Sequence, residues 1–346
     1  MIKESYYSQK IIRIQFVCSV LIVILHSNNI NGYNLVADGS LAGNLVLGIE
    51  EFISVLGHCA VPTFFSISAY LFFRQFSMST YKSKILKRVK TLLVPYLVWN
   101  IIGVLFFAVL TNLPFIAKYM NQSAVKLTPV DLVLSVILSS YTPLWYVRNL
   151  MVYFILAPVI FVLIRRKKIG VILIVSCVII NLLTCSTYYS LQNWLPMVMF
   201  GGWIAVHYNE LIISSNPNTF KKWSGYVIIL YAILYLLTFL SGSSERIIYL
   251  YRCVSSLAIW VSFDYLYPPV TIKWWQKISF FIYCSHFFIV SIFQKITLLM
   301  FGKSWGIAFG VYCITPPVIL LIVFFVALFM QKRLPKLWSI MNGGRC

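Results

Sequence analysis

Eight ionisable side chains are enclosed by apolar sequence: His26, Glu50, Glu51, His58, Arg148, Arg252, His286 and Lys295. A charge at the centre of a bilayer costs about 2.5 to 3.5 kcal/mol on insertion scales, so such groups face a protein interior or a wet cavity and carry a functional prior. With a rise of 1.5 Å per helical residue, His26 lies about 22 Å up its apolar stretch and roughly 8 Å below the outer surface. The same arithmetic puts Glu50, Glu51, Arg148 and Arg252 about 6 to 9 Å below that surface, with Lys295 near the same level. His58 and His286 come out deeper, about 18 Å down. An imidazole, carboxylates and guanidinium groups at one depth are the ingredients of proton transfer and anion stabilisation in a water-filled pocket. Simpler roles stand beside this one. An arginine within two turns of a helix end reaches the headgroups, which applies to Arg252 and Lys295, and Glu50 or Glu51 could cap the start of a helix.

The elements that must position these residues are apolar helices. With 60% hydrophobic and 10% charged residues, the 346-residue chain would expose large apolar patches as a soluble globule, so the expected class is an all-α, polytopic membrane protein. About ten spans are expected: 11–29, 46–73, 89–112, 142–164, 169–185, 192–207, 224–241, 247–265, 278–300 and 306–331. The sixth is short and carries Pro196, Gly201 and Gly202. The first is too long for a signal peptide core and has no small-residue cleavage site after it, so it should remain as a span. Residues 1–332 form one membrane domain, and 333–346 a cytoplasmic tail.

The basic residues set the expected orientation. With the N-terminus in the cytoplasm, 21 of the 28 Lys and Arg lie inside, and Lys118, Lys126, Arg246 and Lys303 lie outside. This asymmetry places both termini in the cytoplasm. The net charge of +20 then reports topology and attraction to anionic lipid rather than nucleic-acid binding, for which no aromatic-basic pattern exists. The eight cysteines show no C-x-x-C pair and no metal-ligand spacing, and read as small buried hydrophobes.

Several segments resemble the acyltransferase-3 family of integral-membrane acyltransferases, of the bacterial surface-polysaccharide O-acetyltransferase type. They are RIQFVCSVLIVILHS from Arg13 to Ser27, the run Val61-Pro62-Thr63-Phe64-Phe65-Ser66-Ile67-Ser68-Ala69-Tyr70-Leu71, and KRVKTLLVPYLVW from Lys87 to Trp99. The segment Leu144-Trp145-Tyr146-Val147-Arg148-Asn149-Leu150 and the run from Ile278 to His286 complete the set, in family order. Two positions depart from the family pattern. Gln15 stands where the family has an arginine eleven residues before the histidine, and Ala69 stands where it has glycine. Eleven residues are almost three turns, so Gln15 and His26 share a helix face, whereas Arg13 is displaced by about 200°.

The resemblance implies a multi-pass protein of the bacterial inner or plasma membrane. It would move an acyl group, acetyl in the first instance, from cytoplasmic acetyl-CoA to a hydroxyl of a surface polysaccharide or its lipid-linked precursor. On that reading His26 is the general base, oriented by Glu50 or Glu51, and Arg148 stabilises the oxyanion or positions the acceptor. Gln15, Lys84, Lys87, Arg88 and Lys90 would serve the coenzyme, and Trp145, Arg252 and His286 the acceptor. No metal is required. The alternative is an exporter of polysaccharide or lipid-linked sugar, with the aromatic residues, 17% of the chain, lining a passage.

Overall fold

The computed structural model describes residues 2–30, 32–33, 35–113, 125–140, 142–216, 218–266 and 271–345, so the outer-loop Lys118 falls outside the described residues. Those residues form helices joined by short connections, without strands among them. In chain order the α-helices are α1 (Ile2–His26), α2 (Leu41–Gly57), α3 (Ala60–Phe73), α4 (Tyr81–Arg88), α5 (Val94–Asn112), α6 (Pro129–Leu138), α7 (Trp145–Ile155) and α8 (Ala157–Ile164). They continue as α9 (Lys167–Thr184), α10 (Leu191–His207), α11 (Asn209–Ser214), α12 (Lys221–Leu240), α13 (Glu245–Leu266), α14 (Ser279–Phe301), α15 (Trp305–Arg333) and α16 (Pro335–Met341).

Among the described residues, eight helical segments are long and apolar enough to cross a membrane. The other two expected spans are α7 and α8, which bend by 69° at Leu156 ahead of Pro158, and α10 with 17 residues. Proline removes an intrahelical donor and crowds the preceding turn, which accounts for the bend. Two connections differ from expectation. The basic stretch before the third span is helical, since Tyr81–Asn112 is one continuous segment with a π-helical turn at Val89–Leu93. The second span starts at Leu41, so Glu50 and Glu51 lie well inside a helix and cap nothing.

The chain forms two compact units. The first comprises Met1–Leu21, Phe52–Lys87 and Asn149–Ser279. Its centre is the approach of α3 to α10, where a Cβ on Gly201 would sit 2.1 Å from the Ser66 carbonyl oxygen. Ser66 donates to the Met197 carbonyl at 3.2 Å or to Ser256 Oγ at 3.0 Å. Phe65 stacks on Trp194 at 5.3 Å and Phe72 on Phe154 at 4.2 Å. Small residues let backbones meet, and aromatic packing replaces the hydrophobic drive that lipid does not supply. Gly201 and Gly202, which weaken α10 as an isolated helix, are thus what seats it. Lys10, expected as an inside-facing topology charge, is buried in an ion pair with Asp264 at 2.6 Å and lies 4.1 Å from the Trp260 ring.

The second unit comprises Ile22–Glu51, Arg88–Arg148 and Phe280–Cys346. Tyr33 is buried against Ala308 and Val311, and its hydroxyl pairs with Thr297 at 2.7 Å. The stretch from 333 packs back on this unit. Trp99 donates to the Met341 carbonyl at 3.0 Å, and Trp338 packs on Phe281 at 4.9 Å. Arg345 donates to the Thr91 carbonyl at 3.1 Å with its guanidinium 4.0 Å from the Phe280 ring. Gly343 has φ +63°, and a Cβ there would sit 2.3 Å from the Thr91 oxygen.

Gly201→Ala should lower the thermal midpoint of the detergent-solubilised protein, by an overpacking cost of about 1 to 3 kcal/mol, because the new methyl meets backbone rather than a movable side chain. Gly225→Ala, with open space around its Cβ, should leave the midpoint unchanged. Removal of residues 334–346 should likewise lower the midpoint and expose Trp99 to aqueous quenchers. A freely hanging tail would leave both unchanged.

Candidate functional site

The site is built on a register between α1 and α14. Phe16 packs on Trp275 just before α14, with ring centroids 4.8 Å apart. One turn further on, the Ser19 hydroxyl lies between the Gln15 carbonyl at 2.9 Å and the Ser279 carbonyl at 3.0 Å. Serine hydroxyls in apolar helices bond back to the preceding turn, and here the same hydroxyl also reaches the first residue of the neighbouring helix. Seven residues on from each serine, almost two turns, stand His26 and His286. Their ring centroids are 5.1 Å apart, with the planes inclined at 44°.

The two imidazoles have different surroundings. His286 is fully buried. Its Nδ1 faces two carbonyl oxygens, Tyr283 at 2.8 Å and Ile282 at 3.1 Å, so Nδ1 carries the proton and Nε2 presents a lone pair. That Nε2 is buried and accepts no hydrogen bond. His26 is half-buried at the last residue of α1, with Phe287 edge-on to it at 5.8 Å. Beyond it, Gln294 donates to the carbonyls of Ser27 at 2.9 Å and Asn28 at 3.2 Å, and Asn29 donates to Ala308 at 2.9 Å. These bonds satisfy carbonyls freed where α1 ends inside apolar surroundings.

The expected depths of His26 and His286, about 10 Å apart, do not describe this pair. That arithmetic started each helix at the membrane surface. The Ser19–Ser279 contact instead starts α14 level with Ser19, seven residues before the end of α1.

The remaining residues divide as follows. Glu50 is buried, and neither carboxylate oxygen has a hydrogen-bond partner, so it does not orient His26 in this structure. Glu51 is half-buried on the same helix. Arg148 donates to the Leu138 carbonyl at 2.9 Å, and so closes the C-terminus of α6, where a cation is favoured. Trp145 is the first residue of α7. Gln15 is half-buried on α1. Lys84 donates to the carbonyls of Phe72 at 2.9 Å and Arg74 at 2.7 Å, at the end of α3, whereas Lys87 and Lys90 are exposed and Arg88 half-buried.

Arg252 belongs to the first unit. It is 5% exposed, donates to His58 Nδ1 at 3.5 Å and lies over the Tyr188 ring at 4.6 Å and the Trp194 ring at 6.0 Å. Sequence reasoning placed His58 deep and gave it no partner. It also missed Asn29 and Tyr33, ordinary polar residues at or just past the end of an apolar stretch, and Gln294, a polar residue inside one.

The Acyltransferase domain model, that of the acyltransferase-3 family, matches residues 10–338, nearly the whole chain. The chain belongs to this family of membrane acyltransferases. No curated protein and no solved structure matches it.

Cysteines at positions 26 and 286, in an otherwise cysteine-free chain, should be joined by a short bifunctional thiol reagent faster than cysteines at 25 and 286. Peptide mapping of the cross-linked product checks this. Equal rates would show that α1 and α14 do not hold this register.

Proposed function

We propose that the protein transfers an acetyl group from cytoplasmic acetyl-CoA to a hydroxyl of a cell-surface polysaccharide, or its lipid-linked precursor, on the far side of a bacterial inner membrane. The observation that carries this reading is the pairing of His26 with His286, whose tautomer is set by two backbone carbonyls. A neutral histidine with a fixed Nδ1–H is a proton acceptor through Nε2 alone. A ring N–H of His26 turned toward that lone pair would leave the other nitrogen of His26 free to accept a proton from the acceptor.

The acceptor hydroxyl oxygen then attacks the thioester carbonyl carbon as His26 takes the hydroxyl proton. The C–S bond breaks, and the proton passes to the leaving thiolate of coenzyme A. His286 acts here as the positioning residue, the role first expected of a glutamate. The exposed Lys87 and Lys90, with Arg88 between them, suit the coenzyme phosphates on the cytoplasmic side. The charge asymmetry supports that placement, with both termini inside.

His26→Ala should lower acetyl transfer to the polysaccharide by about 100-fold or more, the usual yield of a positioned general base, while polymer still reaches the surface. His286→Gln should lower kcat and shift its pH profile without raising the KM for acetyl-CoA. Mass spectrometry of the polymer with and without the gene measures the acetyl content. Loss of surface polymer in the His26→Ala strain, with acetylation of the remainder intact, would establish an exporter instead.

A further inference from the structure

A second polar place lies in the first unit, on α9, α10 and α13. Arg252, Tyr249, Asn193 and Asn181 are buried in the wall of a hollow whose lining also includes the exposed Cys185, Glu245 and Arg246. Asn181 is fully engaged: its amide donates to the carbonyls of Cys177 at 2.9 Å and Gln192 at 3.1 Å, and its oxygen accepts from Ser186. The other three are not. Arg252 Nε, Asn193 Nδ2 and the Tyr249 hydroxyl are all buried with no hydrogen-bond partner. Among the described residues Arg252 has no carboxylate within 4.0 Å; its partners at contact distance are the His58 imidazole and two aromatic faces, and Glu245 acts on it from further away.

A buried guanidinium with no carboxylate at salt-bridge distance is costly in a helix bundle, and three unpaired donors in one hollow add to that cost. The arrangement becomes favourable when an anion occupies it, because a guanidinium with flanking amide and hydroxyl donors matches the two oxygens of a planar oxyanion. The net charge of the lining selects among anions. Arg246, Arg252 and Glu245 together leave the lining with a net charge of +1. That balance suits a monoanion and disfavours a phosphate dianion.

We infer that this hollow binds a carboxylate of the acceptor, so that the glycan acetylated by this protein carries an acidic sugar. The inference rests on the acyl-transfer reading and names its acceptor class. By the expected topology the connections 185–190 and 241–244, which flank the hollow, face away from the cytoplasm, the side from which a surface glycan arrives. The site lies apart in sequence from His26 and His286, so anchoring and proton transfer fall to different residues.

The test uses the full-length protein in nanodiscs, with sodium glucuronate, glucose and inorganic phosphate as probes. Binding is followed by calorimetry and by the fluorescence of Trp194, whose ring is 6.0 Å from the Arg252 guanidinium. Glucuronate should bind at least tenfold more tightly than glucose. Arg252→Gln should abolish that preference, Arg252→Lys should retain part of it, and Asn193→Ala should weaken it severalfold.

Arg252→Met should lose binding yet raise the thermal midpoint, since it removes a buried charge that has no carboxylate in contact, and this outcome separates loss of a site from loss of the fold. Glucuronate affinity that is unchanged in Arg252→Gln, or no binding at all, would overturn the inference. Phosphate bound in place of glucuronate would also overturn it and would assign the hollow to a lipid-linked phosphate. His26→Ala should leave glucuronate binding intact. Normal acetylation by His26→Ala, with Arg252-dependent binding preserved, would remove the catalytic reading while the carboxylate site stood.

Discussion

The hydrogen bond from Ser19 to the first carbonyl of α14 sets the level at which the rest of the candidate site is assembled. The helix begins beside a hydroxyl that is already in place, which ties its first carbonyl to α1. From that point the two helices ascend in step. Two short, poorly snorkelling side chains, widely separated in sequence, therefore meet. Backbone carbonyls then settle the protonation of one ring, so a local feature of α14 governs what its neighbour on α1 can do.

Buried polar atoms without partners mark the places where the bundle is not optimised for its own stability. His286 Nε2 belongs to the imidazole pair, while Arg252 Nε, Asn193 Nδ2 and Tyr249 Oη belong to the hollow. Other polar groups are tied off, as in the Ser66 network, the Lys84 cap on α3 and the Gln294 bonds to the end of α1. Unpaired atoms also occur away from both places, at Glu50, Trp260 and Tyr312 among others, and each is carried at a cost.

The membrane helices were legible because the apolar runs are long and the basic residues are segregated, and both signals survive any particular packing. The family was legible from aromatic motifs that turn out to be interior packing residues, among them Phe65, Tyr96, Trp99 and Phe281. The imidazole pair was legible only in part: both histidines stood out as costly, but depth arithmetic could not know that α14 starts level with Ser19 on α1. The docked tail was hidden for a different reason. Lys332, Arg333 and Lys336 read as a solvated end, and nothing in Trp338 or Arg345 alone says that they will find Phe281 and Thr91.

The π-helical turn at Val89–Leu93 separates the basic α4 from the apolar α5 without breaking the segment. Such a turn holds one residue more than an α-turn, which amounts to an insertion that rotates everything before it by about 100° relative to everything after it. The phase between the cationic face and the membrane-buried face is therefore adjustable in unit steps. Loss of a single codon in this stretch would re-aim Lys87 and its neighbours and shift the Thr91 carbonyl that holds Arg345.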